Sequence, residues 1–392
     1  MAAKRARLST EARKIMKTSR ALLIALNASP DLHRAVICRL AQELEAWTSP
    51  GSSAETVSRR LAVPEEQARR ALAVLPRAEA VCRREEAAAK KIGARLVTRV
   101  DDDYPAPLLD LHLPPAALYV QGELPAAPAV ALVGSRKATE YGLEVAAFFG
   151  RSLAQAGLTV VSGFALGVDA AAHRGALNAA GGTTVAVLGC GLDVAYPRQH
   201  KELGEQILAA GARISEMPLG WLPRRWTFPI RNRIIAALAR GTLVVQAARR
   251  SGSLITAHHA LELGRDVWAI PGPIFEEKAL GTNGLIRDGA LLVQHPRDIL
   301  DALGLATQTQ APTQTSVSDL LPPQPKAEDH RQPPKGLAGK LLQHLPVGTR
   351  RSPDDLCLLT NAAMDEVLGA LLDLELQGWL RRLPGPVYGR VD

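Results

Sequence analysis

Aromatic side chains are scarce in this chain: five Phe, five Trp and five Tyr make up 4 % of its 392 residues. An aromatic standing in a polar stretch is therefore informative. Cysteine is scarcer still. Cys38, Cys82, Cys190 and Cys357 lie far apart, with no CxxC pair and no histidines at zinc-ligand spacing. That pattern excludes a zinc knuckle or a disulfide framework and fits unpaired thiols in a reducing cytosol. No apolar run approaches the ~18 residues of a membrane span. The first residues carry charge without the apolar core of a signal peptide. A cytoplasmic protein with no membrane span is expected.

Two phosphate signatures are also missing. The loop GxxxxGK(S/T) occurs nowhere, and the glycine turn after Val133 does not match GxGxxG. Hydrolysis of a nucleotide in a standard phosphate loop has no support. Asp101, Asp102 and Asp103 are consecutive, so their carboxylates point different ways; they read as a solvated turn rather than a metal site. His173, His258 and His259 have no carboxylates at ligand spacing and read as packing or surface residues. No cofactor and no metal are expected.

What is present is positive charge. A formal net charge of +8 and a pI near 9.5 favour a polyanionic partner. The central stretch is Ala129 to Gly167: an apolar run, the turn Gly134-Ser135-Arg136-Lys137, a helical pattern from Thr139 to Gln155, a second apolar run from Leu158 to Val161, and the turn Ser162-Gly163-Phe164-Ala165-Leu166-Gly167. Continuous apolar runs are expected of parallel strands covered on both faces. Two strand-to-helix turns then sit side by side at the carboxyl edge of one sheet, where open α/β sheets bind ligands. Backbone N–H groups and helix N-termini there favour an anion. Ser135 and Ser162 add hydroxyls, and Arg136 and Lys137 add two cations.

The chain divides into four parts on composition. Residues 1–93 read as a helical domain, with a loose leader from Met1 to Lys17 and a small helix-turn-helix from Glu55 to Leu72. Its arginines Arg59, Arg60, Arg69 and Arg70 could touch DNA, but a helical bundle with solvated arginines is the plainer reading. Residues 94–303 alternate strands near Thr183, Ala212, Leu243, Asp266 and Leu291 with helices, which specifies an extended Rossmann-like, doubly wound parallel sheet. Residues 304–335, rich in Pro, Gln, Thr and Ser, read as a flexible linker. Residues 336–392 read as a winged helix of three helices and a hairpin. Its third helix, NAAMDEVLGALLDLELQ, is acidic and would be repelled by phosphates, so a protein-binding or structural role fits it better than duplex binding.

A second constellation runs from Arg224 through Arg225, Trp226, Thr227, Phe228, Pro229, Ile230, Arg231 and Asn232 to Arg233. Aromatics that stack on bases, set among arginines that pair with phosphates, are the composition of a single-strand groove. The competing reading seats Phe228 and Ile230 in the core. Arg231 and Arg233 fall in the expected first turn of the following helix, where the dipole disfavours cations, and Glu216 is a candidate internal partner. Asp169 and Asp193 follow glycine turns and could cap helices.

Taken in order, the motifs DDDYPAPL, ALYVQG, VGSRKATEYG, SGFALGVDAAAHRGAL, AVLGCGLDVAYPRQHKEL, SEMPLG, FPIRNRIIAALA, SGSLITAHHALELGRDVWAIPG and GTNGLIRDGA resemble the DprA (Smf) family, the DNA-processing proteins of bacterial natural transformation. The resemblance spans roughly Leu96 to Val293. It implies a protein that binds and protects single-stranded DNA in a Rossmann pocket, loads RecA onto it, and forms a homodimer through that domain. It implies an amino-terminal SAM-like bundle and a carboxyl-terminal winged helix. By motif, Gly134, Ser135 and Arg136 would hold a backbone phosphate. Arg198, in AYPRQHKEL, falls where the family places a DNA-contacting cation. Arg225 and Phe228 would supply phosphate pairing and base stacking, while Gly163 and Gly167 shape the neighbouring wall. The expectation is a non-catalytic recombination mediator. Two alternatives stand beside it: a Rossmann-type nucleoside-phosphate hydrolase using Glu216 or Asp193 as acid, and a scaffold acting mainly through its winged helix.

Overall fold

A computed structural model describes residues 10–49, 51–305, 334, 336–346, 349–377, 379–383 and 387–390. They fall into two units, Met1–Thr307 and Gln308–Asp392. The first part of the expected leader, the linker but for 304, 305 and 334, and the tip of the expected hairpin at 384–386 lie outside the described residues.

Among the described residues of the larger unit six α-helices come first: α1 (Thr10–Asn27), α2 (Arg34–Gln42), α3 (Leu44–Trp47), α4 (Ala54–Leu61), α5 (Glu65–Val74) and α6 (Ala78–Lys91). The sheet region follows as β1 (Ala94–Thr98), β2 (Ala117–Gly122), β3 (Ala129–Val133), α7 (Glu140–Gln155), β4 (Thr159–Ser162), α8 (Val168–Leu177), β5 (Thr184–Leu188), α9 (Lys201–Ala210) and β6 (Gly211–Ser215). It continues through α10 (Thr227–Leu238), β7 (Gly241–Val244), α11 (Gly252–Glu262), β8 (Asp266–Ala269), α12 (Leu280–Arg287), β9 (Leu291–Leu292) and α13 (Pro296–Ala302).

The nine strands form one sheet in the order β1-β2-β6-β5-β4-β3-β7-β8-β9. From β6 to β9 every neighbouring pair is parallel, whereas β1–β2 and β2–β6 are antiparallel. The Rossmann-like architecture is therefore present with an antiparallel edge. That edge is made by β1 and β2, which pair with each other and, through β2, with β6. Strand alternation explains the double burial. Ala131 and Val133 face Ile234 and Ile235 of α10 and Ala257 and Ala260 of α11. Val130 and Leu132 face Ala146, Phe149 and Leu153 of α7 and Ala172 and Ala176 of α8. Strand order reverses between β3 and β7, which puts a crevice at their carboxyl ends.

The helical bundle has its own core of Leu23, Leu26, Ile37, Leu40, Trp47 and Val57. Ala21 and Ile24 of α1 and Cys82 and Ala89 of α6 pack against Leu96, Tyr119, Leu203 and Ile207 at the antiparallel edge. The expected leader is corrected here. Helix α1 starts at Thr10, because the helix anchored at Ala21–Leu26 extends backwards through strong helix formers such as Arg, Lys and Ala. Three of the four arginines read on α4 and α5 are answered locally: Arg59 by Glu55, Arg69 by Glu65 and Glu66, Arg70 by Glu66. Asp101 is no solvated carboxylate. It accepts from the Thr98 N–H and hydroxyl, both at 2.9 Å, and pairs with Arg20 at 3.1 Å.

The smaller unit holds α14 (Leu337–His344), β10 (Arg350–Arg351), α15 (Pro353–Thr360), α16 (Met364–Leu376), β11 (Leu380–Leu383) and β12 (Val387–Arg390), its strands ordered β10-β12-β11. Leu341, Leu345, Leu356, Val367, Leu371 and Tyr388 make its core. This is a winged helix with a third short strand, and Ser352 and Asp355 close a capping box on α15.

Candidate nucleic-acid interface

The turn after β3 is held against the strand order reversal. Ser135 N–H donates to the Gln246 carbonyl at 2.8 Å, and Val168 N–H donates to the Ser135 carbonyl at 3.2 Å. Gly167, at φ +80°, starts α8 beside this turn; a Cβ there would stand 2.3 Å from the Ser135 oxygen. Glycine is required twice over, by conformation and by space. Ser135 Oγ accepts from Lys137 N–H at 3.1 Å. Arg136 and Lys137 are exposed.

Two cavities open along this rim. The larger, about 580 Å³, is walled by Arg136, Gly163, Leu188, Tyr196, Arg198, Leu222 and Phe228, among others. The smaller, about 290 Å³, lies at the β3/β7 crevice and takes in Gly134, Ser135, Arg136, Asp169, Phe228, Arg231 and the Ser251–Thr256 segment. Arg136 and Phe228 belong to both. Phe228 is half-buried and is no member of the apolar cores. Its ring carries the Arg136 guanidinium 4.5 Å above the centroid and stands 5.8 Å from the Tyr196 ring, tilted by 41°. A cation over an aromatic face and a second ring beside it line an open cavity.

Beneath Phe228 lies a buried charge. Arg231 is 3 % exposed and donates from Nη1 to the Val187 carbonyl at 2.6 Å. Burial pulls its pKa down to about 10, a shift that Asp169 opposes. Burial in turn raises the Asp169 carboxyl, against the pull of Arg231. Gly163 makes room for both: a Cβ there would meet Arg231 Nη1 at 2.1 Å and Asp169 Oδ2 at 2.6 Å. Helix α10 begins at Thr227, whose hydroxyl donates to the Arg224 carbonyl at 2.8 Å, so Arg231 and Arg233 lie beyond the first turn. The earlier start follows from Thr227 and Pro229, both well tolerated at a helix N-terminus.

The expected site residues are thus sorted. Gly134, Ser135, Arg136, Gly163, Arg198, Phe228 and Arg231 stand in the cavity walls. Lys137 and Arg225 are exposed on the same turns but line neither cavity. Ser162 is a correction: it is fully buried and spends its hydroxyl on the Leu132 carbonyl at 2.5 Å, so it offers nothing to a ligand. Arg231 holds the floor from within. Glu216 does have an arginine partner, but it is Arg233 at 2.7 Å. It also faces helices α1 and α2, where Asn27 Nδ2 donates to its carbonyl at 3.1 Å and the Cys38 thiol to Oε1 at 3.5 Å. Asp193 accepts from Gly220 N–H at 2.8 Å and ties the following loop down. Neither acid of the hydrolase alternative lines a cavity. Tyr196, Leu222 and the Ser251–Thr256 segment were missed as wall residues. Tyr196 was findable, since it precedes the Pro-Arg of a motif already read for Arg198.

Comparison with known proteins decides the family. The profile of DNA recombination-mediator protein A matches residues 95–304, and that of the DprA winged helix domain matches residues 321–386. The chain belongs to the DprA family. It is 41 % identical over 297 residues to the Smf protein of Escherichia coli, covering 74 % of this chain and 76 % of that one. It is 44 % identical over 203 residues to the DNA processing protein DprA of Streptococcus pneumoniae, covering 51 % of this chain and 71 % of the relative. The X-ray structure of DprA from Streptococcus pneumoniae superposes with a TM-score of 0.54 at 33 % identity, over 75 % of this chain and 98 % of that one. Among the described residues no helix is long and apolar enough to cross a membrane.

Proposed function

We propose that this DprA-family chain binds single-stranded DNA without base preference along the Arg136–Phe228 rim, protects it, and hands it to RecA as a recombination mediator. The observation that carries the reading is the Arg136 guanidinium 4.5 Å over the Phe228 ring inside an open cavity. Without DNA the two groups satisfy each other weakly. A strand offers each a better partner, a phosphate for the cation and a base face for the ring. Arg198 extends the cationic wall, and Lys137 and Arg225 stand exposed on the same turns for phosphates further along. Every base has a π-face and every nucleotide a phosphate, so such a groove takes any sequence.

The same reading makes the protein a binder and not an enzyme. It is supported by the internal engagement of Glu216 and Asp193, the acids a hydrolase would need. A homodimer through the Rossmann domain belongs to it as well. Strand β9 is the open edge of the sheet and leaves Leu291 and Leu292 half exposed, an apolar edge suited to a second copy. The winged helix serves partner proteins: Met364, Leu368 and Leu372 are exposed on α16, a helix whose charges are acidic.

A gel shift comparing single with double strands across a salt series tests the reading. Single strands should be retained preferentially, with log affinity falling by about 0.7 per contacted phosphate per decade of salt. Equal or tighter duplex binding, or no retention of oligo-dT in dilute buffer, overturns it.

A further inference from the structure

Beyond the DNA rim a third cavity, about 730 Å³, opens between the helical bundle and the loop before α10. Its walls include His33 and Arg34 on one side and Trp221, Leu222, Arg224 and Trp226 on the other. Two of the chain's five tryptophans face each other here, with ring centroids 6.2 Å apart at 87°. Trp221 is the fixed one. The Arg34 guanidinium lies 5.5 Å from its centroid, its backbone carbonyl accepts from Gly191 N–H at 2.9 Å, and its indole N–H is withdrawn from water with no partner among the described residues. Trp226 is 43 % exposed.

We propose that this cavity is a second nucleobase subsite, which receives the strand after it leaves the Phe228 cleft. The proposal rests on the single-strand reading of that cleft. Four observations carry it. Leu222, 63 % exposed, is shared by the walls of both cavities and so sets them side by side. Of the two arginines in the lining, Arg34 is buried and held by Asn27, which leaves Arg224 as the exposed cation; with His33 beside it and no carboxylate in the wall, the lining matches a phosphate and not a basic peptide. The volume lies within the about 300–1,000 Å³ of pockets that enclose a small ligand. An aromatic pair with one member held rigidly and the other exposed is a stacking platform, on which Trp226 offers the open face. The bundle thereby becomes part of the DNA path, with the N-terminal end of α2 as its outer wall.

Strand length separates this subsite from the first cleft. Wild type, Trp226→Ala, Trp226→Phe and Phe228→Ala are titrated with oligo-dT of about six and about twenty residues, reading both affinity and tryptophan fluorescence. Trp226→Ala should weaken the long oligonucleotide by roughly 5- to 150-fold, the range for one lost stack, and leave the short one unchanged. Trp226→Phe should restore most of the affinity. Quenching should appear with the long strand and be smaller in Trp226→Ala, where Trp221 alone remains in the cavity. If Phe228→Ala weakens both lengths while Trp226→Ala weakens neither, the second subsite is wrong and the first cleft stands. If no oligonucleotide binds the wild type, the single-strand reading itself fails.

Discussion

Replacing Gly163 by alanine tests how the floor of the cleft is built. The new methyl carbon would lie 2.1 Å from Arg231 Nη1 and 2.6 Å from Asp169 Oδ2, far inside ordinary contact. The guanidinium would have to move, and it is fully enclosed, with its Nη1 spent on the Val187 carbonyl at 2.6 Å. Overpacking a filled interior costs about 1–3 kcal/mol. Losing a hydrogen bond from a charged donor costs about 1.5–3 kcal/mol. Together these give a destabilisation of about 2.5–6 kcal/mol, a large part of the stability of a typical domain. Because Arg231 sits 5.9 Å from the Phe228 centroid, its displacement should also disturb the stacking face. Urea unfolding of Gly163→Ala should therefore show a lower midpoint, and oligo-dT affinity should drop at concentrations where the protein remains folded. Combining the change with Arg231→Met should cost less than the sum of the two, by at least about 1 kcal/mol, since the clash partner is gone. A single variant within about 0.5 kcal/mol of wild type, with unchanged DNA affinity, would refute the reasoning.

Three further outcomes follow from the same geometry. Arg136→Ala should weaken every single strand about equally and flatten the salt dependence by about 0.7, the slope of one phosphate; a steeper or unchanged slope counts against a phosphate role. His173 is buried, and its Nδ1 pairs at 2.7 Å with Thr184 Oγ1, whose proton is already given to the Val160 carbonyl. Nδ1 therefore carries the ring proton and the unpartnered Nε2 is bare. Burial lowers the His173 pKa to about 3, so between its unfolded value near 6.5 and that point the unfolded chain binds the extra proton. Stability should fall as pH drops through that window, and His173→Asn should flatten the fall; identical pH profiles would contradict it. Glu216→Gln should destabilise by roughly 3–5 kcal/mol, because it leaves the partly buried Arg233 and the buried Arg34 nearby without a countercharge. A mild effect on urea unfolding would show that water reaches the network.

How far the sequence carried this picture depends on the range of the forces involved. Strands such as Ala129–Val133 were legible to the residue, because burial on both faces writes a continuous apolar run. The glycine turns were legible because glycine breaks an apolar run wherever it stands, although the contacts that require it at Gly163 and Gly167 come from elsewhere in the chain. What stayed hidden was decided by contacts between distant segments. Ser162 looks like a free hydroxyl until Leu132, on the neighbouring strand, claims it. Arg231 looks like a DNA contact until Val187 and Asp169 enclose it. Glu216 and Arg233 could be paired from proximity in sequence, but the participation of Asn27, Arg34 and Cys38 could not, since these lie some two hundred residues away on the bundle. The antiparallel β1–β2 edge was hidden for the same reason: its partner strand β6 comes long after it in the chain.

The central claim is that the Arg136–Phe228 pair at the sheet rim grips an unpaired strand. Its most direct test is a low-salt titration of oligo-dT against wild type and Phe228→Ala. Wild type should bind, and the variant should bind about 1–3 kcal/mol more weakly while unfolding at the same urea concentration. Equal affinities, or a wild type that ignores oligo-dT, would contradict the account.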